Sequence, residues 1–256
     1  MTAAHAPTET SPPNLDQRRT DPTVDIVMPV LNEAHTLGTY LPQLQQQPML
    51  REVIVVDGGS ADDTRHLVST LIERTSTSSA PALRLIEAEP GRAMQMNAGA
   101  MQARAEVLLF LHADTRLSPH AIEHLCRAIA DGSMWGRFDV RLDSKHMLFR
   151  IIERLINLRS ALTGIATGDQ GIFVRRDVFH MLGGYAPIEL MEDVEFCARL
   201  KWVGRPARIR EAICVSVRRW QRQGIVRTVV LMWTLRLLYW FGVSPARLAR
   251  LYSTVR

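Results

Sequence analysis

A chain of 256 residues with 46% hydrophobic content can build one sizeable core, and its length does not require two domains. It has no 18-residue apolar run, and its first twenty residues lack the hydrophobic middle of a secretory signal, so it is expected in the cytoplasm rather than spanning a membrane or exported. The net charge of +5 hides an asymmetry: residues 199–256 hold 13 Lys+Arg and a single acid, Glu211, against 18 Lys+Arg and 25 Asp+Glu before them, so a tail of +12 follows a body of −7.

Four of the five tryptophans, Trp202, Trp220, Trp233 and Trp240, lie in that basic tail. The pairing suits anionic lipid surfaces or phosphates. Without a groove-reading or RNA-stacking motif beside it, it does not point to nucleic acid. Cys126, Cys197 and Cys214 are widely spaced and sit inside element-like patterns, as reduced packing thiols do.

Residues 1–22, rich in Pro, Thr, Ser and Asn, read as a disordered leader to a domain over 23–222, with 223–256 as a basic helical tail. An apolar strand from Val24 to Val30 is followed by a helical pattern that Leu31-Asn-Glu-Ala34 opens and that runs to about Gln47. A second buried strand, Arg51 to Asp57, ends in a carboxylate, and the turn Gly58–Thr64 leads to a helix with Ser60 as its expected cap. Ala82 to Glu87 reads as a third strand and Gly91 to Arg104 as a helix.

Next comes Glu106-Val-Leu-Leu-Phe-Leu-His-Ala-Asp-Thr115, a buried strand carrying Asp114 at its open end. Ser118 to Asp131 has helical spacing with Ser118 as cap, Trp135 to Leu142 looks extended, and Lys145 to Leu162 looks helical and amphipathic. Gly164 to Arg175 combines a loop with a strand, and Met191 to Val203 is a helix opening on Glu192 and Asp193. Gly224 to Phe241, interrupted by Arg227 and Arg236, fits a surface-lying amphipathic helix. Strands alternating with helices predict an α/β fold with a mostly parallel, helix-covered sheet.

Ligands of such sheets collect at the carboxyl ends of the strands, where Asp57, Asp114, Asn32 and Glu33 would form a nucleotide-sized rim. Acids after strands also serve as helix caps. In Thr167-Gly-Asp-Gln-Gly171 the glycines permit close backbone approach, so Asp169 and Gln170 are candidates for sugar or acceptor contact, or for a tight turn with a capping aspartate.

Five segments together resemble a family-2 inverting glycosyltransferase of the GT-A fold, a Rossmann-like nucleotide-sugar fold. They are Val27-Met-Pro-Val-Leu-Asn-Glu33, Val55-Val-Asp-Gly-Gly-Ser-Ala-Asp-Asp-Thr64, Gly91-Arg-Ala-Met-Gln-Met-Asn-Ala-Gly99, Phe110-Leu-His-Ala-Asp-Thr115 and Leu190-Met-Glu-Asp-Val-Glu195. The resemblance implies that Pro29, Asn32 and Glu33 border the nucleotide, that Asp57 bonds its base, and that Arg92 and Asn97 approach base, ribose or diphosphate. Asp114 matches the metal-touching acid of the family's Asp-x-Asp triplet, while His112 replaces the first acid, as a sugar contact, a metal ligand or a packed side chain.

One carboxylate suffices for Mg2+ or Mn2+ when diphosphate oxygens and water complete the shell. Inverting transfer needs a base for the acceptor hydroxyl, and adjacent helical residues project about 100° apart, so one of the acidic pair faces the sugar. The resemblance implies Asp193 as that base and Glu192 as a positioning group. Arg218-Arg-Trp220 resembles the Arg-Trp pair that family-2 synthases set over diphosphate and acceptor, making Arg219 and Trp220 candidates.

The wording of these motifs is further similar to a bacterial subgroup associated with arsenosugar biosynthesis. The expectation is thus a metal-dependent transferase acting from a UDP-sugar onto a small-molecule or lipid-linked acceptor, with the tail on an anionic inner membrane face. A sugar-phosphate nucleotidyltransferase would show an early Gly-rich loop where Pro29 and Asn32 stand. The remaining alternative is a non-catalytic membrane-docking protein of the same fold.

Overall fold

The computed structural model describes residues 22–75, 80–217, 220 and 224–255, the last three by backbone alone, so the expected leader at 1–21 and Arg219 lie outside the described residues. Eight strands form one sheet in the order β3-β2-β1-β4-β7-β6-β8-β5. The first half is β1 (Val24–Val30), β2 (Leu50–Asp57), β3 (Ala82–Glu87) and β4 (Val107–Phe110), all parallel, connected through α1 (Ala34–Leu44), α2 (Thr64–Thr75) and α3 (Arg92–Gln102).

The second half is mixed. It holds β5 (Thr115–Arg116), α4 (Ala121–Ala130), β6 (Trp135–Leu142), α5 (Met147–Thr163), β7 (Ile172–Arg175), α6 (Arg176–Met181), α7 (Glu192–Leu200) and β8 (Ala207–Val215). β7 runs antiparallel to both β4 and β6, and β8 parallel to β6. Two helices, α8 (Ile225–Trp240) and α9 (Pro245–Val255), end the chain.

The parallel strands are apolar throughout because both of their faces are covered. Ile26, Met28, Val53 and Val55 point into one core with Leu37 and Leu41 of α1, Val68 of α2 and Leu125 of α4. Alternate residues Val27, Ile54 and Val56 point into the other, with Met96 and Ala100 of α3 and Phe196 and Leu200 of α7. At Gly99 a Cβ would stand 2.4 Å from Val27 Cγ1, so α3 lies closer to the sheet than any side chain would allow.

Several boundaries differ from the sequence-based expectation. Ser60 does not cap α2: its Oγ accepts from Asn32 N at 2.9 Å, while Asp62 Oδ1 accepts from Thr64 N at 3.0 Å where the helix begins. Ser118 does not cap α4, which starts three residues later, at Ala121. The strand carrying Asp114 stops at Phe110 because Thr115 N turns back onto the His112 carbonyl at 3.1 Å. The elements α6 and β8 had no counterpart in the reading of the sequence, and the helical tail expected over 223–256 is divided into two helices, α8 and α9.

The tail is more than a surface helix. Leu235 and Leu248 are buried with Met191 in one apolar cluster that also gathers Leu190, Val194, Leu231 and Tyr252. α8 carries apolar side chains around most of its circumference, so one face packs on the start of α7 while another faces outward.

Candidate active site

The loops after β1 and β2 lie side by side because those strands pair in register, with Pro29 opposite Val56 and Val30 opposite Asp57. Asp57 is fully buried, and its Oδ2 accepts from Gly59 N at 3.0 Å and Ser60 N at 2.9 Å. Its Oδ1 is buried without a hydrogen-bond partner, an acceptor held in reserve at the rim.

Asn32, at φ 56°, accepts from Ala61 N at 2.8 Å, and Glu33 N donates to Thr64 Oγ1 at 2.9 Å, so these two residues also lock one loop to the other. Gln95 ties the same strand ends together, donating at 2.8 Å to both Val30 O and Val56 O. Asn97 is engaged elsewhere: its amide donates to Tyr185 O at 2.8 Å and accepts from Tyr185 N at 2.9 Å, which turns the side chain toward the α6–α7 connection and spends its hydrogen-bonding capacity there.

A cavity lies beside this rim, lined by Arg92, His112, Asp114, Asp169, Glu192, Asp193 and Trp220. It thus brings together seven of the residues singled out from the sequence, whereas Pro29, Asn32, Glu33, Asp57, Asn97 and Gln170 do not line it. Asp193 Oδ2 accepts from Gly168 N at 2.8 Å and Oδ1 from Val194 N at 2.7 Å, which fixes the carboxylate at the first turn of α7. The residue before the pair, Met191, has φ 69°, a conformation that costs a non-glycine residue about 1 kcal/mol or more and aims the acidic pair into the cavity.

Glu192 is buried, with Arg92 as its neighbour at 3.9 Å. Burial first and the adjacent Asp193 second push its carboxyl up to about 7, and Arg92 offsets only part of that. His112 packs against Gly168, where a Cβ would approach its Nε2 to 2.7 Å, so the Gly168–Gln170 turn and the β4 loop interlock. Trp220 packs edge-on against Phe149 at 6.3 Å while also facing the cavity.

Gln170 departs from its expected role as a sugar or acceptor contact. It is fully buried, and its Oε1 accepts from Thr167 N at 3.2 Å in a capping box that shapes the turn. Its neighbour Asp169 does reach the cavity, with Oδ1 buried and lacking a hydrogen-bond partner.

Among the described residues no group of three or more His, Cys, Asp or Glu side chains could hold a metal ion by itself. Asp114, with the spare acceptor on Asp169, suits a cation that takes its remaining ligands from a diphosphate. The sequence reading did not anticipate that the tail supplies Thr228, Leu231, Met232, Arg236 and Tyr252 to the same cavity. Only the +12 charge and the indoles of the tail had hinted that it met a ligand.

A mixed, mostly parallel sheet with Asp57 and Asp114 at its strand ends and an acidic pair opposite defines a GT-A-type glycosyltransferase fold. The model of glycosyl transferase family 2 matches residues 25–181, and the chain belongs to that family. An undecaprenyl-phosphate 4-deoxy-4-formamido-L-arabinose transferase of Serratia proteamaculans is 27% identical over 166 residues, covering 62% of this chain and 50% of that protein. An uncharacterized glycosyltransferase of Nostoc is 29% identical over 85 residues, 33% of this chain and 26% of the relative.

The chain thus spans half or less of the length of these curated relatives. Among solved structures, a mannosyltransferase from Pyrobaculum calidifontis in complex with GDP-Man and Mn2+ superposes with TM-score 0.66 at 20% identity, over 93% of this chain and 70% of that one. S. aureus TarS in complex with UDP-GlcNAc superposes with TM-score 0.59 at 16% identity, over 76% and 58%. These two likenesses concern the fold.

Proposed function

We propose that the protein transfers a sugar, with inversion, from a nucleoside-diphosphate donor, uridine-linked by preference, to a small-molecule or lipid-linked acceptor. The single observation that supports this most is that Asp114 and the Glu192–Asp193 pair, far apart in sequence, line one cavity beside the β1–β2 rim. In this reading Pro29, Asn32, Glu33 and Asp57 border the nucleotide, Arg92 faces the diphosphate, and residues 23–222 with the tail form one working unit.

Asp193 takes the proton of the acceptor hydroxyl as that oxygen attacks the anomeric carbon, and the bond to the diphosphate breaks with its electrons going to the leaving group. Asp114, with Asp169 close by, would hold Mg2+ or Mn2+, which neutralises charge on the departing diphosphate. Asp169 and Trp220 border the acceptor. The names of the Serratia relative, for a lipid phosphate, and of the TarS and mannosyltransferase complexes, for UDP-GlcNAc and GDP-Man with Mn2+, support this choice of substrates.

No helix among the described residues is long and apolar enough to cross a membrane. The reading includes a peripheral position on an anionic inner membrane face through the tail, which the exposed Arg227, Trp233 and Trp240 support. The arsenosugar placement belongs to the same proposal and is supported by motif wording alone.

The test is a panel of UDP- and GDP-sugars with Mn2+ or Mg2+, following the melting temperature and then nucleotide release. A stabilising nucleotide sugar and turnover abolished by Asp114→Ala are expected. Turnover untouched in both Asp114→Ala and Asp193→Ala, or no nucleotide sugar bound at all, would overturn the proposal.

A further inference from the structure

Arg236 of α8 stands where three hollows adjoin. It lines the catalytic cavity, an apolar cleft of about 720 Å³ beside the C-terminal end of α8, and a crevice between α5 and α8. Arg159 of α5 lines the last two with it. The cleft meets the catalytic cavity at Val194 and Arg236, and Val194 follows Asp193 directly, so the two guanidinium groups sit next to the acidic pair.

Two arginines on neighbouring helices repel one another unless an anion lies between them. Burial first and Arg236 second pull the Arg159 guanidinium down to about 10, and Asp169 and Asp193 each attract it less strongly than Arg236 repels it. Arg159 bonds to neutral acceptors, the Ile165 carbonyl at 3.1 Å and Gln170 Oε1 at 3.5 Å, and its Nε is buried without a partner. A phosphate supplies what this pair lacks, since its oxygens match the planar guanidinium fork.

The surroundings say what else the ligand carries. The cleft walls are Ile165, Val194, Ala198, Tyr239, Trp240 and Val243. Outside it, α5 exposes a helical stripe of Met147, Ile151, Leu155, Leu158 and Leu162, and α8 exposes a second of Val226, Val230, Trp233, Leu237 and Trp240. Leu155 and Trp233 line the same crevice, so the two stripes adjoin along one side of the molecule. Neither α8 nor α9 holds an acid, and Arg227, Arg247 and Arg250 are exposed on them. An apolar face of that size edged by positive charge and indoles is complementary to an anionic lipid surface.

We propose that Arg159 and Arg236 form the seat for the phosphate of an amphiphilic acceptor whose hydrocarbon chain lies in the Tyr239–Trp240 cleft and leaves along the α5–α8 face. That the amphiphile is an acceptor rests on the transfer reaction proposed above; that it binds does not.

The test is calorimetric titration of the intact chain with geranyl phosphate, geraniol and inorganic phosphate, with no sugar nucleotide present. Geranyl phosphate is expected to bind at least about tenfold more tightly than either partial ligand. Arg236→Gln should weaken it by about tenfold or more, Arg236→Lys by less, and Arg159→Gln should behave like Arg236→Gln. Arg74→Gln, which removes the same charge from the exposed end of α2, should leave it unchanged, and melting temperatures identify any variant that has failed to fold.

Equal affinity for geraniol would reduce the site to an apolar groove, and equal affinity for inorganic phosphate to a general anion site. Either result overturns the proposal, as does wild-type affinity in Arg236→Gln. UDP titrated into the same samples keeps the two ideas apart: geranyl phosphate binding without UDP binding removes the transfer reaction and leaves the seat.

Discussion

On the side proposed for the donor, the loops after β1 and β2 are closed by hydrogen bonds among Asn32, Glu33, Asp57, Ser60 and Thr64, and Gln95 staples the strand ends beneath them. On the side proposed for the acceptor, α5 and α8 leave apolar stripes exposed, and two arginines line one cleft. The first region is complete in itself and presents little beyond the spare oxygen of Asp57. The second is unbalanced in its apolar exposure, and two like charges line its cleft. A rim that is already rigid can hold a donor at little ordering cost, whereas an unbalanced face takes its stability from what it binds.

The sharpest way to break this contrast is at the junction. Asp193→Ala should lower transfer to a hydroxyl acceptor by roughly 10²–10⁴-fold while UDP still binds, read by nucleotide release and UDP titration. A variant that lost UDP binding and transfer together would make Asp193 part of the donor side instead.

Next in size is Gly99→Ala, aimed at the donor side alone. The new Cβ would meet Val27 Cγ1 at 2.4 Å and Val56 Cγ2 at 2.9 Å, and forcing α3 off the sheet should cost about 1–3 kcal/mol in urea unfolding. No comparable loss is expected from a small substitution on the outer stripe of α8.

Glu192→Gln sharpens the junction through pH. The carboxyl rises from an ordinary 4.5 to about 7 on folding, so the native state binds its proton more tightly, and stability falls as pH climbs through that window. The glutamine variant should lose that fall, by up to about 3 kcal/mol at pH 8. It should also flatten any limb near pH 7 in the rate profile. An unchanged stability curve between pH 4.5 and 8 would place Glu192 in a wetter setting than its burial implies.

The smallest effect on folding belongs to the acceptor face. Trp233→Ser with Trp240→Ser, at side chains 59% and 78% exposed, should change stability by no more than about 0.5 kcal/mol yet weaken binding to anionic vesicles several-fold, measured by co-sedimentation. Destabilisation without loss of vesicle binding would show that these indoles pack inward.

The donor side was legible in the sequence because its signals are local. An apolar run that ends in an acid, as at Asp57, or has one a few residues beyond it, as at Glu33 and Asp114, signals strand and rim within about twenty residues, and β1, β2 and β4 follow that rule. The acceptor side depends on contacts between distant segments. Arg159 lies within an amphipathic helix and Arg236 interrupts an apolar one about 75 residues later, and the fold alone sets them in one cleft. Gln170 looked like a ligand contact because a Gly-bounded turn permits one, and its burial in a capping box is decided by tertiary packing around Thr167. β8 escaped notice because Arg208, Arg210 and Glu211 interrupt its apolar pattern, although Arg208 is paired with Asp139 across β6.

Initial-rate kinetics varying a UDP-sugar against a prenyl-phosphate acceptor, in Asp114→Asn and in Arg236→Gln, tests the division of the site most directly. The account predicts that Asp114→Asn raises the donor KM about tenfold or more with the acceptor KM unmoved, and that Arg236→Gln does the reverse. Both variants shifting the same KM, or Arg236→Gln shifting neither, would contradict it.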